Sequence, residues 1–274
     1  MRPSPHHYAH ITSRCFVSIP FRRLQADLQL VIDNRIQPEI GLDNDVLYTC
    51  SRQEFAEVAQ LLEKAKLSCT IHAPFSDLAP GAADRYVLQA TRDKLHRAFA
   101  LIPVFKPLSI VCHLNYEPYK HQNRLDDWLK LSLATWQGLL EVAAAHGTLL
   151  TLENTYETDP TTHKRMLTGL ASDRARFCLD TGHVMAFAHT IWQDWLPALQ
   201  PWLGQLHLHD NHGRFDEHLA IGKGIFDFTG FFAYLKTNRL NPIVTLEPHA
   251  ENALWESLAS LDRLNYFATA RDVR

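Results

Sequence analysis

The chain has 274 residues, 46% of them hydrophobic and 21% charged, with a formal net charge of −3 at neutral pH. That length fits two small domains or one large α/β barrel, and the composition suits a globular protein with a sizeable core. The slightly acidic balance argues against a broad nucleic-acid surface, and no apolar run approaches the roughly 18 to 20 residues that span a bilayer.

The N-terminal MRPSPHHYAHITSR lacks the apolar core of a secretion signal, so residues 1–14, with His6, His7 and His10, are expected to form a mobile polar tail ahead of a domain spanning 15–274. Five cysteines (Cys15, Cys50, Cys69, Cys112, Cys178) form no CxxC pair, and three of them sit in apolar strand-like runs. Buried free thiols in a reducing, cytoplasmic compartment are the expectation.

From Cys15 onward, short apolar runs alternate with longer amphipathic stretches. Cys15–Pro20 reads as a strand and Arg22–Asn34 as a helix; Pro38–Leu42 is the second strand. Ser51 and Glu54 form a capping box that opens a helix over Ser51–Lys66, with Phe55, Val58, Leu61, Leu62 and Ala65 on one face. Ser68–Ala73 precedes a helix from about Asp84 to Leu101, Leu108–Leu114 a helix over Leu125–Ala145, and Leu149–Glu153 a helix after Pro160. Phe177–Asp180 leads to a helix around Ile191–Leu199, Leu203–Leu208 to one near Asp227–Lys236, and Ile243–Glu247 to one over Asn252–Ala268. Eight strand–helix units in strict alternation, with no linker, predict a single (β/α)8 TIM barrel. A doubly wound open sheet would bring a glycine-rich turn after the first strand, and Val17–Leu24 holds no glycine.

Barrels of this kind carry their active site at the C-terminal ends of the strands. Strand three ends in His72, strand four in His113, strand five in Glu153, strand six in Asp180, strand seven in His207-Leu208-His209-Asp210 and strand eight in Glu247. One such residue alone is a helix cap or a hydrogen-bonded structural group. Six crowding one mouth would repel and pay a heavy desolvation cost unless a cation joined them. Imidazole with carboxylate suits a borderline divalent metal, zinc or manganese. His183, in LDTGH, and Asp216 and His218, on the loop after strand seven, extend the set. His207 and His209 share a face of a regular strand, so periodicity does not choose between them.

The stretches TIHAPF, VCHLNYEP, LTLENT, FCLDTGH, LHLHDN, DEHLAIGKG and VTLEPH, in that order between about residues 70 and 250, resemble the AP endonuclease family 2, or xylose isomerase-like, barrel superfamily. The superfamily includes endonuclease IV and many sugar and sugar-phosphate isomerases and epimerases. Likeness to endonuclease IV implies three zinc ions: one held by His72, His113 and Glu153, a second by bridging Glu153 with Asp180, His207 and Glu247, a third by His183, Asp216 and His218. It favours His207 over His209, which takes a place usually filled by Asn and is left facing substrate or supporting a ligand. Likeness to the isomerase branch implies one metal held by Glu153, Asp180, His207 and Glu247.

The presence of His113, Asp216 and His218 tilts the expectation to a metal-dependent hydrolase that cleaves a phosphoester with a multi-zinc site. Glu153 and Glu247 are the expected catalytic groups, with His183 as helper, and Arg214 and Lys223 would neutralise a substrate phosphate. The alternative is a sugar or sugar-phosphate isomerase or epimerase in which Glu153 and Glu247 move protons on opposite faces. A metal-dependent binding protein is the non-catalytic alternative. Phe75 is placed to stack on substrate. A DNA substrate would need several phosphate contacts, which are not found in the sequence, so DNA is the less favoured alternative to a phosphorylated small molecule or a sugar.

Overall fold

The computed structural model describes residues 7–43, 45–121 and 124–267. Eight strands form one closed parallel barrel in sequence order: β1 (Phe16–Pro20), β2 (Gln37–Gly41), β3 (Thr70–His72), β4 (Ser109–His113), β5 (Leu149–Glu153), β6 (Ala175–Asp180), β7 (Leu203–Leu208) and β8 (Ile243–Leu246). Pairing of β1 with β8 closes the ring. The expected (β/α)8 TIM barrel is therefore what the chain forms.

Helices cover the outside, and local sequence sets their starts. Ser51 and Glu54 complete the capping box of Arg52–Lys64, Asp84 caps Arg85–Phe99, and Asp227 caps Phe228–Thr237. The helix expected over Arg22–Asn34 is two short ones, Phe21–Ala26 and Leu28–Asp33, broken at Asp27. A further helix, Thr181–Ala186, lies between β6 and Trp192–Leu199, capped by the Asp180 side chain itself. The last helix ends at Leu264, and residues 268–274 lie outside the described part.

Of the expected tail, residues 1–6 lie outside the described part, while Ala9–Thr12 is helical and buries Ile11. Residues 9–12 pack on Glu251–Leu264, where His10 Nε2 lies 2.9 Å from Asp262 Oδ1, so this segment rests on the barrel instead of trailing from it. Cys15, Cys69, Cys112 and Cys178 are buried free thiols, and Cys50 is half-buried. Among the described residues no helix is long and apolar enough to cross a membrane.

Two features of the barrel interior position the site. The first is register: His113 pairs with Glu153 and Asp180 with His207, so donors from neighbouring strands end at one level. The second pairing depends on an irregularity. The ladder passes from Phe177↔Leu203 to Cys178↔Gln205, leaving Gly204 as an extra residue. A Cβ on Gly204 would stand 2.5 Å from Arg176 Cβ, so only glycine fits this close approach. Without the slip, Asp180 would face Leu206.

The second feature is a buried polar layer below the strand ends. Glu39 Oε2 accepts hydrogen bonds from Thr70 Oγ1 (2.8 Å), Gln205 Nε2 (2.6 Å) and Thr245 Oγ1 (3.1 Å). Ser109 Oγ donates to Gln205 Oε1 at 2.5 Å. Most polar atoms here have a partner from another strand, which limits the cost of burying them; Glu39 Oε1 has no hydrogen bond and faces His207 Nε2.

Candidate metal centre

Glu153 is the hub. Its Oε2 lies 3.2 Å from His72 Nε2 and 3.1 Å from His113 Nε2; its Oε1 lies 3.3 Å from both His207 Nδ1 and His183 Nδ1. His207 Nδ1 is in turn 3.1 Å from Glu247 Oε1 and 3.9 Å from Asp180 Oδ2. On the far side, Asp216 Oδ2 lies 2.9 Å from His218 Nε2 and 3.4 Å from His183 Nε2. All nine residues expected from sequence as ligands thus meet at one mouth, although they come from six strand ends, the short helix Thr181–Ala186 and the loop after β7.

The rings are held from behind. His72 Nδ1 is 2.9 Å from Ala73 O, His183 Nδ1 2.8 Å from Asn154 O, and His218 Nδ1 3.0 Å from Glu247 O. His207 turns Nε2 to Glu39 Oε1 at 3.1 Å and leaves Nδ1 for the centre. An oxygen on one ring nitrogen fixes the tautomer and frees the other as a donor, the usual support of metal-binding histidines. The Asp180 carboxylate is fixed too, because its Oδ1 accepts the His183 backbone N–H at 2.7 Å.

Four buried atoms among these residues have no hydrogen-bond partner: His113 Nε2, His207 Nδ1, His209 Nδ1 and Asp216 Oδ1. His113 and His207 lie near carboxylate oxygens but are misaligned for hydrogen bonds. Such atoms are costly unless a cation takes them up, and nitrogen with carboxylate oxygen is a set that zinc and manganese accept. The residues therefore fit a divalent ion.

Charge is strongly coupled here. Burial raises the Glu153 carboxyl, but the charges of His207 and His113, with the His113 and His183 rings close against it, outweigh it and hold the group well below the carboxylate range. Glu247 goes the other way: burial raises it, the charges of Asp180 and Glu153 add to that, and His207 offsets only part. Burial pushes His113 down to about 4. For His183, His207 and His218 burial also disfavours the charge, yet neighbouring carboxylates raise them, His218 to about 9. Burial raises Glu39 as well, but the charge of His207 dominates and keeps it ionised.

The mouth opens into a cavity of about 290 Å³, a volume for a small molecule. Phe75, Tyr156 and Phe187 form its apolar wall, with Ser18, Asp43 and His249 adding polar groups. Phe75, expected to contact substrate, lines the cavity and stacks on His113 with centroids 4.5 Å apart. The other expected substrate contacts are elsewhere. Arg214 lies over its neighbour Phe215, Lys223 Nζ is 3.4 Å from Glu256 Oε2 in solvent, and neither lines the cavity. His209 is buried behind the mouth and does not line it either. No lysine or arginine among the described residues lines this cavity. Sequence reasoning passed over Glu39 and His249. Glu39 was visible as a carboxylate inside a short strand, and His249 as a histidine two residues past Glu247.

A family model described as xylose isomerase-like TIM barrel matches residues 39–264. An uncharacterized protein of Methanocaldococcus jannaschii is 26% identical over 199 residues, which cover 69% of this chain and 67% of that protein. Among solved structures, a D-tagatose 3-epimerase-like protein superposes with a TM-score of 0.78 at 20% identity, covering 91% of this chain and 96% of its own. A protein from Thermus thermophilus, soaked with zinc chloride, gives a TM-score of 0.75 at 23% identity, with coverage of 93% and 98%. Further structures alike in fold are sugar epimerases.

Proposed function

The chain belongs to the xylose isomerase-like TIM barrel family, and from that premise we propose that it is a divalent-metal-dependent isomerase or epimerase acting on a small sugar without a phosphate. One observation carries this reading. Glu153 and Glu247 flank a common nitrogen, His207 Nδ1, at 3.3 and 3.1 Å, and their environments drive their ionisation apart. Two nearby carboxyl groups, one held ionised and one tending to keep its proton, are an acid–base pair.

Glu153, Asp180, His207 and Glu247 would hold the reacting ion, which supplies polarisation of an adjacent carbonyl and hydroxyl. Ionised Glu153 removes a proton from the carbon between them. Glu247 returns a proton from the opposite face, so the configuration inverts and both carboxyls end with exchanged protonation. His183, fixed by Asn154 O, holds Glu153 Oε1 in place. Phe75, Tyr156 and Phe187 keep water off the carbanion-like centre. The cation-free wall supports an uncharged sugar over a sugar phosphate, and the epimerases of like fold agree with that choice.

The test is a panel of ketoses and aldoses in deuterium oxide, with the chain loaded with zinc, manganese or cobalt. Deuterium entering one carbon of a turned-over sugar is the expected result, with the signal lost in Glu153→Gln and in Glu247→Gln. Absence of both turnover and exchange across the panel would overturn the reading. The donors outside the quartet (His72, His113, Asp216 and His218) favour a second reading, phosphoester hydrolysis with more than one ion. It requires bis-p-nitrophenyl phosphate to be cleaved by wild type and spared by Asp216→Asn.

A further inference from the structure

His209 follows His207 by two residues and is buried just behind the mouth. The ring of His209 lies flush against Gly182, where an added Cβ would stand 1.9 Å from its Cε1. Its Nε2–H donates to Asp180 Oδ2 at 3.0 Å, which leaves a lone pair on Nδ1 in the neutral ring. That Nδ1 is buried without a partner and faces Asp216 Oδ1, equally buried and unpartnered, at 3.6 Å. Two acceptors meeting in a dry site repel one another. Two donors on one tetrahedral zinc, each at about 2.0–2.1 Å, stand roughly 3.3 Å apart, so the gap between them is close to that of ligands sharing an ion.

A third donor is at hand. His183 gives Nδ1 to Asn154 O and turns Nε2 to Asp216 Oδ2 at 3.4 Å. Its ring crosses that of His209 at 77°, which allows both planes to pass through one point. The geometry points to a divalent-cation site made by His183 Nε2, Asp216 and His209 Nδ1, with Asp180 orienting His209 from behind.

Likeness to endonuclease IV gives the third place to His218, and the structure argues for His209 instead. The two rings are parallel, centroids 3.9 Å apart and planes 10° from each other. A ligating nitrogen binds along its own ring plane, so one ion cannot serve both rings as they stand. His218 Nε2 already has a hydrogen-bond partner in Asp216 Oδ2 at 2.9 Å, whereas His209 Nδ1 is buried with none. An ion here ties the loop that carries Asp216 to the end of β6. The site does not depend on the sugar reading.

Zinc alone is the probe. The chain is stripped with chelator, dialysed against buffered zinc, and its bound metal counted by mass spectrometry alongside thermal melts. Wild type is expected to hold at least two equivalents, His209→Asn one fewer, and His218→Asn as many as wild type. A full count in His209→Asn, a loss in His218→Asn alone, or a single equivalent in wild type would overturn the assignment. Because a variant in this packed layer can fail to fold, wild type gives a second readout. Imidazole nitrogen–proton spectra during zinc addition should move His209 Nδ1 to the position of a ligating nitrogen; an unmoved His209 Nδ1 overturns the assignment. Missing sugar turnover with the zinc count as expected would count against the epimerase alone.

Discussion

Replacing Glu39 by Gln changes one atom of a side chain that touches no substrate, yet the geometry predicts a large effect on metal binding. The carboxylate has two tasks. Oε2 accepts from Thr70, Gln205 and Thr245, and Oε1 faces His207 Nε2 at 3.1 Å. A glutamine offers one acceptor and one NH2 group. Turning its NH2 to the three donors sets donor against donor in a dry layer. Turning it to His207 makes Nε2 the acceptor, so the ring proton moves to Nδ1, the atom aimed between Glu153 and Glu247. Either outcome costs about as much as one charged hydrogen bond, 1.5–3 kcal/mol. Zinc affinity should therefore fall about 10–100-fold, about 1.4–2.8 kcal/mol, the range found when groups behind metal-binding histidines are removed. Competition against a fluorescent chelator measures it, with Thr245→Val as a control that keeps the carboxylate. A folded Glu39→Gln chain that binds zinc within twofold of wild type would refute the tautomer argument.

Glu153→Gln should lower turnover of a sugar substrate by 10²–10⁴, the share of a positioned proton-transfer group, and lower zinc content as well, read by steady-state rates and metal analysis. Gly182→Ala drives a methyl into the ring of His209, which Asp180 holds, while Asn211 Nδ2 pins the Gly182 carbonyl so that neither side can give; a loss of about 1–3 kcal/mol in a denaturant melt is expected. Arg214→Ala and Lys223→Ala should leave kcat/KM within twofold, since both side chains lie outside the cavity. A tenfold loss in either would mean that the loop folds over bound substrate. The pH dependence has a definite sign. His183, His207 and His218 hold protons more tightly in the fold than in the unfolded chain. Without metal, their contribution to stability is complete below about pH 6.5 and fades as pH climbs through the folded values, about 9 for His218. Zinc must displace those protons, so the metal-free melting temperature should fall over this range while zinc affinity rises, with protons released on binding.

Much of this was legible in the chain because two signals agree. Alternating apolar runs and amphipathic stretches specify the barrel, and once the barrel is assumed, strand ends must meet. That is why His72, His113, Glu153, Asp180, His207 and Glu247 could be assembled without coordinates. Loop geometry has no such period. Arg214 and Lys223 look as near to the site as Asp216 in the sequence, but the loop sends only Asp216 inward. Glu39 carried a weak signal, because an inward-facing carboxylate in β2 is informative only when His207 Nε2 is known to lie above it. The extra residue at Gly204 is likewise invisible to alternation, although the level of Asp180 beside His207 rests on it. The break at Asp27 is a matter of packing that helical spacing does not record.

No lysine or arginine among the described residues lines the cavity, so a bound divalent ion would be its main source of positive charge. For an uncharged sugar the second-order rate should be flat between roughly 0.05 and 0.5 M salt, whereas capture of an anion by the ion's charge would be progressively screened. Under the proposed sugar reading, a phosphorylated analogue would find no lysine or arginine among the described lining residues to pair with its phosphate, and should be turned over less well than the free sugar.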